Sequence, residues 1–184
     1  MLARLGEQAA IDWSRAVVDA ASVRAKKKGT LTGPNPVDRG KPGSKLHVLA
    51  DRNGLPLAVA VSAANTHDSL ALLPLVQAVP AIRSRRGPRR RRPDRLHADK
   101  GYDYDHLRTW LRSRRITPRI ARRGIETSTR LGRHRWVVER SLAWLTGYRR
   151  LTLRYERCAR LFTAFLTLAA TLTCYKKLAT LDKL

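Results

Sequence analysis

Acidic side chains are scarce in this sequence: 14 Asp and Glu stand against 38 Lys and Arg, a formal charge of +24. A compact body so lopsided repels itself unless it lies on a polyanion, and the repeating phosphates of nucleic acid are the commonest such partner. From charge alone, a ribosome-type binding protein and a merely soluble basic surface are the competing readings. Cysteine is nearly missing as well. Cys158 and Cys174 have no CxxC spacing and no secretory signal ahead of them, so a disulfide scaffold is excluded and a reduced, cytosolic setting is expected. The longest apolar run, residues 161–175, contains four threonines and falls short of the roughly 20 residues that span a bilayer, so it reads as a buried core helix and no membrane partner is expected. No GxxxxGK[ST] loop and no HExxH or paired CxxC spacing occurs, which removes nucleotide-driven chemistry and a zinc site; His47, His67, His97, His106 and His134 are scattered.

What is present fits one domain, since 184 residues can bury a proper core but not two of ordinary size. Residues 1–9 resemble the last turns of a helix, and 1–15 read as the remnant of an upstream helical region, with the domain proper over 16–184. Residues 16–25 are apolar and β-branched, a buried strand interrupted by Asp19. Residues 26–44 are rich in Gly, Pro and Lys and form a loop. Two β-rich runs then flank Arg52-Asn53-Gly54, the strongest short signal for a hairpin. Asp68 is positioned to cap a helix that starts at Ser69. Residues 83–95, with eight arginines, cannot be core and are expected as a mobile, exposed loop. A short strand ends at Asp99, where Lys100-Gly101 turns the chain away. A helix over 105–114, a brief strand over 116–121 and helices from Arg133 and Cys158 complete the order β, β-hairpin, α, β, α, β, α, α.

Three acids sit where a solvated charge is not expected: Asp19 within an apolar strand, Asp99 at a strand end, and Glu139 after Trp136-Val137-Val138. A carboxylate drawn out of water needs a base, hydrogen bonds or a cation. Hard oxygen donors of this kind suit Mg²⁺ or Mn²⁺. For any one of them, a structural pairing with arginine is the plain alternative, and the strand, strand, helix order of the three is what favours a shared site.

Those residues carry a resemblance. The segment around Asp19 (VVDAASVRA), the stretch TGPNPVDRGKPGSKLHVLAD, the box HADKGYD and the run RHRWVVERSLAWLTGYRRL look like the transposases of bacterial insertion sequences, family five and the related family four, over nearly the whole chain. The resemblance implies a ribonuclease H-like α/β fold, with a mixed sheet, an antiparallel hairpin and flanking helices. It also implies a DDE triad drawn from Asp19, Asp99 and Glu139, which would hold two divalent ions and make and break DNA strands at the ends of the element. Against the wider group's Tyr, Arg, Glu, Lys signature, Arg135 keeps the arginine, whereas Gly132 and Thr146 replace the tyrosine and lysine. The implied partner is double-stranded DNA, as element ends and target, with a homo-oligomer assembled on it, a place on the bacterial nucleoid, and an upstream segment joined by frameshifting. An inactive remnant, or a basic DNA-binding protein without chemistry, is the alternative.

The expected DNA contacts are Lys26, Lys27 and Lys28, the loop residues Arg89, Arg90, Arg91 and Arg92, Lys100 and Tyr102 beside Asp99, and Arg135, Arg149 and Arg150 beside Glu139. Trp110, Trp136 and Trp144 read as core rather than as stacking platforms.

Overall fold

The computed structural model describes residues 1–122, 124 and 128–183, and the side chains of these except 128–135. Alternation decides the sheet. In β1 (Ala16–Arg24), Ala16 and Val18 enter one apolar cluster and Val23 enters another, so successive side chains serve two opposite cores. β1 pairs antiparallel with β3 (Pro42–Asp51), and β3 with β4 (Pro56–Ala63), through the turn at Asn53-Gly54. Gly54 takes φ +86, and a Cβ there would stand 2.9 Å from Ser141 Oγ, so glycine answers both the turn and the helix above it.

On its other side β1 pairs in parallel with β5 (Arg95–Ala98), which pairs in parallel with β6 (Thr117–Ile120). A two-residue strand, β2 (Gly33–Pro34), joins the start of β3 inside what the sequence presents as an unbroken loop. The result is a mixed sheet with an antiparallel hairpin, covered on both faces as a ribonuclease H-like fold requires.

One face carries α1 (Leu2–Glu7), α2 (Ser69–Ala78) and α3 (Asp105–Ser113), whose Leu5, Leu72, Leu75, Leu107 and Leu111 pack with Val18, Leu49 and Leu96. Leu5, Ile11 and Trp13 belong to this core, so residues 1–15 are built into the domain rather than set apart from it. The other face carries α4 (Ser128–Thr146), α5 (Arg149–Thr152) and the first half of α6 (Ala159–Leu181), through Leu142, Leu145, Leu151, Phe162 and Leu166. The long helix read over 133–150 is two helices, separated at Gly147 and Tyr148. α6 is not buried all round: Leu161, Leu168, Leu172 and Tyr175 are exposed along its outer side. No helix among the described residues is long and apolar enough to cross a membrane.

The arginine-rich loop is pinned rather than loose. Ile82 and Arg90 exchange backbone hydrogen bonds, Ile82 is buried, and the Arg90 guanidinium stacks on Trp13 at 5.5 Å and meets Asp94 at 2.7 Å. A second clamp is internal. Arg154 is fully buried and donates to the carbonyls of Thr30 (2.6 Å), Leu31 (2.9 Å) and Glu156 (2.9 Å) and to Ser44 Oγ (2.6 Å), with its guanidinium 5.0 Å from the centre of the Phe162 ring. Carbonyl oxygens satisfy most of its donors, which is how a charge is carried into a core without a carboxylate against it.

Two buried titratable groups oppose each other in pH dependence. Burial pushes the Asp51 carboxyl up from 3.8 to about 6, although it accepts backbone N–H bonds from Asp12, Asn53 and Leu55. Burial pushes the His47 imidazole down from 6.5 to about 4, with Nε2 held 2.7 Å from Ser62 Oγ. Between about pH 4 and 6 the folded chain keeps the Asp51 proton and refuses one at His47, whereas the unfolded chain does the reverse, so the two effects cancel. In Asp51→Asn only the His47 effect remains: relative to wild type, stability should fall as pH drops from 6.5 towards 4. In His47→Gln the opposite slope should appear, stability falling as pH rises from 3.8 to 6. Each slope approaches a factor of ten in the folding constant per pH unit, about one proton, and urea melts across this range read it directly.

Candidate active site

The sheet itself brings two of the three acids together. Ala16 is paired with Leu96 and Val17 with His97 in parallel register; Asp19 follows two residues further along β1, and Asp99 one residue past the end of β5. Neighbouring strands lie roughly 5 Å apart, so these carboxylates start from adjacent positions at the carboxyl edge of β5. They also share a face. Asp19 has the parity of Val23, which packs under α4 and α6, and Asp99 has the parity opposite to Leu96 and Ala98, which pack under α2 and α3. Both are half-buried.

One oxygen of each is fixed by a nearby backbone N–H: Ala20 donates to Asp19 Oδ1 at 2.8 Å and Gly101 to Asp99 Oδ1 at 2.9 Å. Asp99 thereby caps the short 3₁₀ turn Lys100–Tyr102, which swings the chain off the sheet. Arg108, buried on the inner side of α3, secures that turn's far end. Its Nη2 donates to Asp103 at 2.6 Å and to the Ile120 carbonyl of β6 at 2.9 Å. This positioning arginine went unnoticed in the sequence; the signal was its place beside Leu107 and Leu111 on the buried side of an otherwise amphipathic helix.

Glu139 lies on α4, over the same face. Val137, Val138, Ser141, Leu142 and Leu145 are the buried side of that helix, while Glu139 is exposed. Ser141 Oγ donates to the Gly54 carbonyl at 2.8 Å and Arg140 Nη2 to the Asn53 carbonyl at 2.8 Å, which fixes one flank of α4 on the hairpin turn. At about 100° per residue Glu139 falls on the other flank, turned towards β1 and β5. Among the described residues no three His, Cys, Asp or Glu side chains stand close enough to hold one ion. The donor chemistry nevertheless fits hard divalent ions, for a pair of adjacent aspartates supplies the one or two carboxylates that such an ion takes, leaving the rest of its shell to water and phosphate.

The other sequence-selected residues divide. Lys100 is exposed next to Asp99, and Lys26, Lys27 and Lys28 are exposed beyond the carboxyl end of β1. Arg89, Arg91 and Arg92 are exposed and Arg90 is half-buried, but all precede β5 and so lie at the opposite edge of the sheet from the acid pair. Arg92 donates to the Arg114 carbonyl at 3.1 Å. Arg149 is exposed, and Arg150 lies 3.4 Å from Glu156 with its guanidinium over Phe165, so part of its charge is already answered. The Arg135 side chain, and its expected stacking on Glu139, lie outside the described residues.

Three expectations are corrected. Tyr102 is 1% exposed and packed in the core, so it cannot touch DNA; its hydroxyl has no hydrogen-bond partner among the described residues. Burial, with Asp68, Asp19 and Asp99 nearby, holds that phenol protonated far above its ordinary range. Asp68 occupies the N-cap position of α2 without a capping bond, because Lys45 Nζ takes its carboxylate at 2.9 Å; the Ser69 N–H turns to His67 Nδ1 instead. Trp136 and Trp144 are not core: they are 51% and 42% exposed.

Comparison with known proteins gives the family and the fold. The family model described as "Transposase DDE domain" matches residues 13–174. A candidate transposase for insertion sequence element IS402 of Burkholderia cepacia is 49% identical over 152 residues, 83% of this chain and 72% of that protein. Among solved structures, a chain of a simian T-cell lymphotropic virus intasome superposes with a TM-score of 0.52 at 15% identity, over 87% of this chain and 48% of that one. This chain thus spans about half the length of that neighbour, and the likeness is one of fold. The HTLV-2 integrase catalytic core, solved with magnesium, gives 0.49 at 16% identity over 87% and 84% of the two chains. By the family match and the identity to the IS402 protein together, the chain belongs to the DDE transposases, enzymes that cut and join DNA strands.

Proposed function

We propose that this transposase, of insertion sequence family five and near family four, works at the ends of its element with Asp19, Asp99 and Glu139 as the carboxylates for two divalent ions, Mg²⁺ or Mn²⁺. The observation that carries this reading is the parallel pairing of β1 with β5, which ends at Val17 and His97, two residues before Asp19 and Asp99. Such ions supply Lewis-acid charge to the phosphate and lower the pKa of the attacking water or 3′-hydroxyl. The chain's own contribution is to hold oxygens in place beforehand. The backbone N–H groups of Ala20 and Gly101 fix one oxygen of each aspartate, and Asp19, Asp99 and Glu139 would be the carboxylates that hold the ions. Lys100, exposed beside Asp99, meets the phosphate backbone, and Lys26, Lys27, Lys28 and Arg149 extend the contact.

Glu139 on a helix, apart from two acids on strands, suits closure of α4 when DNA and ions arrive together. A homo-oligomer on the DNA and an upstream fused segment that reads the element ends complete the proposal.

Asp19→Asn, Asp99→Asn and Glu139→Gln should each lower Mg²⁺-dependent nicking of a duplex carrying the terminal repeats by more than about a hundredfold, since loss of a metal ligand exceeds the effect of losing a partner behind it. DNA binding without divalent ions should persist. Full nicking by any one of the three removes that residue from the triad, and equal inactivity of wild type would favour the non-catalytic DNA-binding reading. Tyr102→Phe supplies the contrast: deleting a buried hydroxyl that has no partner should leave the melting temperature level or raised and DNA affinity within about twofold. A marked loss of affinity would restore Tyr102 as a DNA-binding residue.

A further inference from the structure

The flank of α4 turned away from the acid pair carries a separate arrangement. Trp136, Arg140 and Trp144 recur at intervals of four, which stacks them along one side of the helix. The Arg140 guanidinium lies 4.6 Å from the centre of Trp136 and 4.8 Å from that of Trp144, a cation held between two exposed indoles. Its Nη2 is spent on the Asn53 carbonyl, and its Nε is buried with no hydrogen-bond partner among the described residues. Ring faces fix the plane of the guanidinium and leave its charge unbalanced.

Beside this stack runs a groove of about 560 Å³ between α4, the hairpin turn and the second half of α6. Arg140, Lys176 and Lys177 line it together with Trp144 and Tyr148, and none of the described lining residues is acidic. Lys176 Nζ stands 5.3 Å over the Tyr148 ring. Elsewhere the surface cations often have a carboxylate at hand, as Arg83 has Glu7, Arg90 has Asp94 and Arg150 has Glu156. Here positive charges line one groove with aromatic walls and, among the described lining residues, no counter-charge. A single small anion would use one of the cations; a DNA strand with a phosphate at every step can use them all, with the rings as walls against its backbone.

We propose that this groove is a second DNA-binding site, gripping a strand through its phosphates on Arg140, Lys176 and Lys177 with Trp144 and Tyr148 as walls. α4 then meets DNA on both flanks, with a helix diameter of about 10 Å between this strand and the one at the acid pair. The inference rests on DNA as the family's substrate, not on the identity of the catalytic acids.

The test compares Lys176→Glu/Lys177→Glu with Arg4→Glu/Arg112→Glu, an equal charge change at exposed sites away from both grooves. Binding of a random-sequence duplex of about 20 base pairs is measured in EDTA over a range of salt, so that the acid triad plays no part. The groove variant should bind about tenfold more weakly than the control variant, with the slope of log affinity against log salt smaller by about two, one for each phosphate that is no longer neutralised. In addition, the change in tryptophan emission on adding DNA should shrink in Trp144→Phe and vanish in the groove variant. Equal affinity and slope in the two double variants, or an undiminished emission change in the groove variant, overturns the proposal. Because no cleavage is read, failure here is distinct from failure of the triad.

Discussion

The site depends on one constraint, the parallel pairing of β1 with β5 in the middle of the sheet. β1 is hydrogen-bonded on both sides and covered on both faces, so its register cannot slip without turning Val18 and Leu49 out of one core and Val23 and Leu46 out of the other. Asp19 lies on the first of those strands and Asp99 just past the end of the second, so the placement of both acids is a property of the hydrophobic core. Like charges can be held together in this way only by a frame whose stability comes from elsewhere.

α4 is held differently, and the difference is chemical. Its inner side is apolar, but its rotation is set by two polar ties to a single turn, Ser141 to Gly54 and Arg140 to Asn53. The turn exists because Asn53-Gly54 can adopt it and because Asp51 accepts the N–H groups of Asn53 and Leu55. A hairpin signal visible in the sequence therefore also determines which way a helix residue 85 positions later faces. The two aspartates are placed by the sheet, whereas Glu139 is placed by a helix tied to the hairpin turn through hydrogen bonds.

Much of this was legible from residues alone. Hydrophobic alternation located β1, the Asn-Gly turn located the hairpin, and Lys100-Gly101 located the end of β5, because each depends on local physics. The acids could be picked out for the same reason: a charge inside an apolar run is conspicuous whatever the fold. What escaped depends on contacts between distant segments. Asp68 looked like a cap until Lys45, on another strand, claimed it; Tyr102 looked like a neighbour of the phosphate until the 3₁₀ turn rotated it into the core. Trp136 and Trp144 looked like core by residue type, but their helix spends its inner side on Val138, Leu142 and Leu145. The basic loop's position at the far edge of the sheet follows from the direction of β5, which composition does not encode.

Arg154 has a further consequence for the life of the chain before it is complete. The carbonyls it binds at Thr30 and Leu31 are more than 120 positions earlier, so that corner of the molecule must wait, unsealed, until the ribosome has delivered most of the polypeptide. A product broken off ahead of that codon lacks the donor that joins Thr30, Leu31 and Ser44.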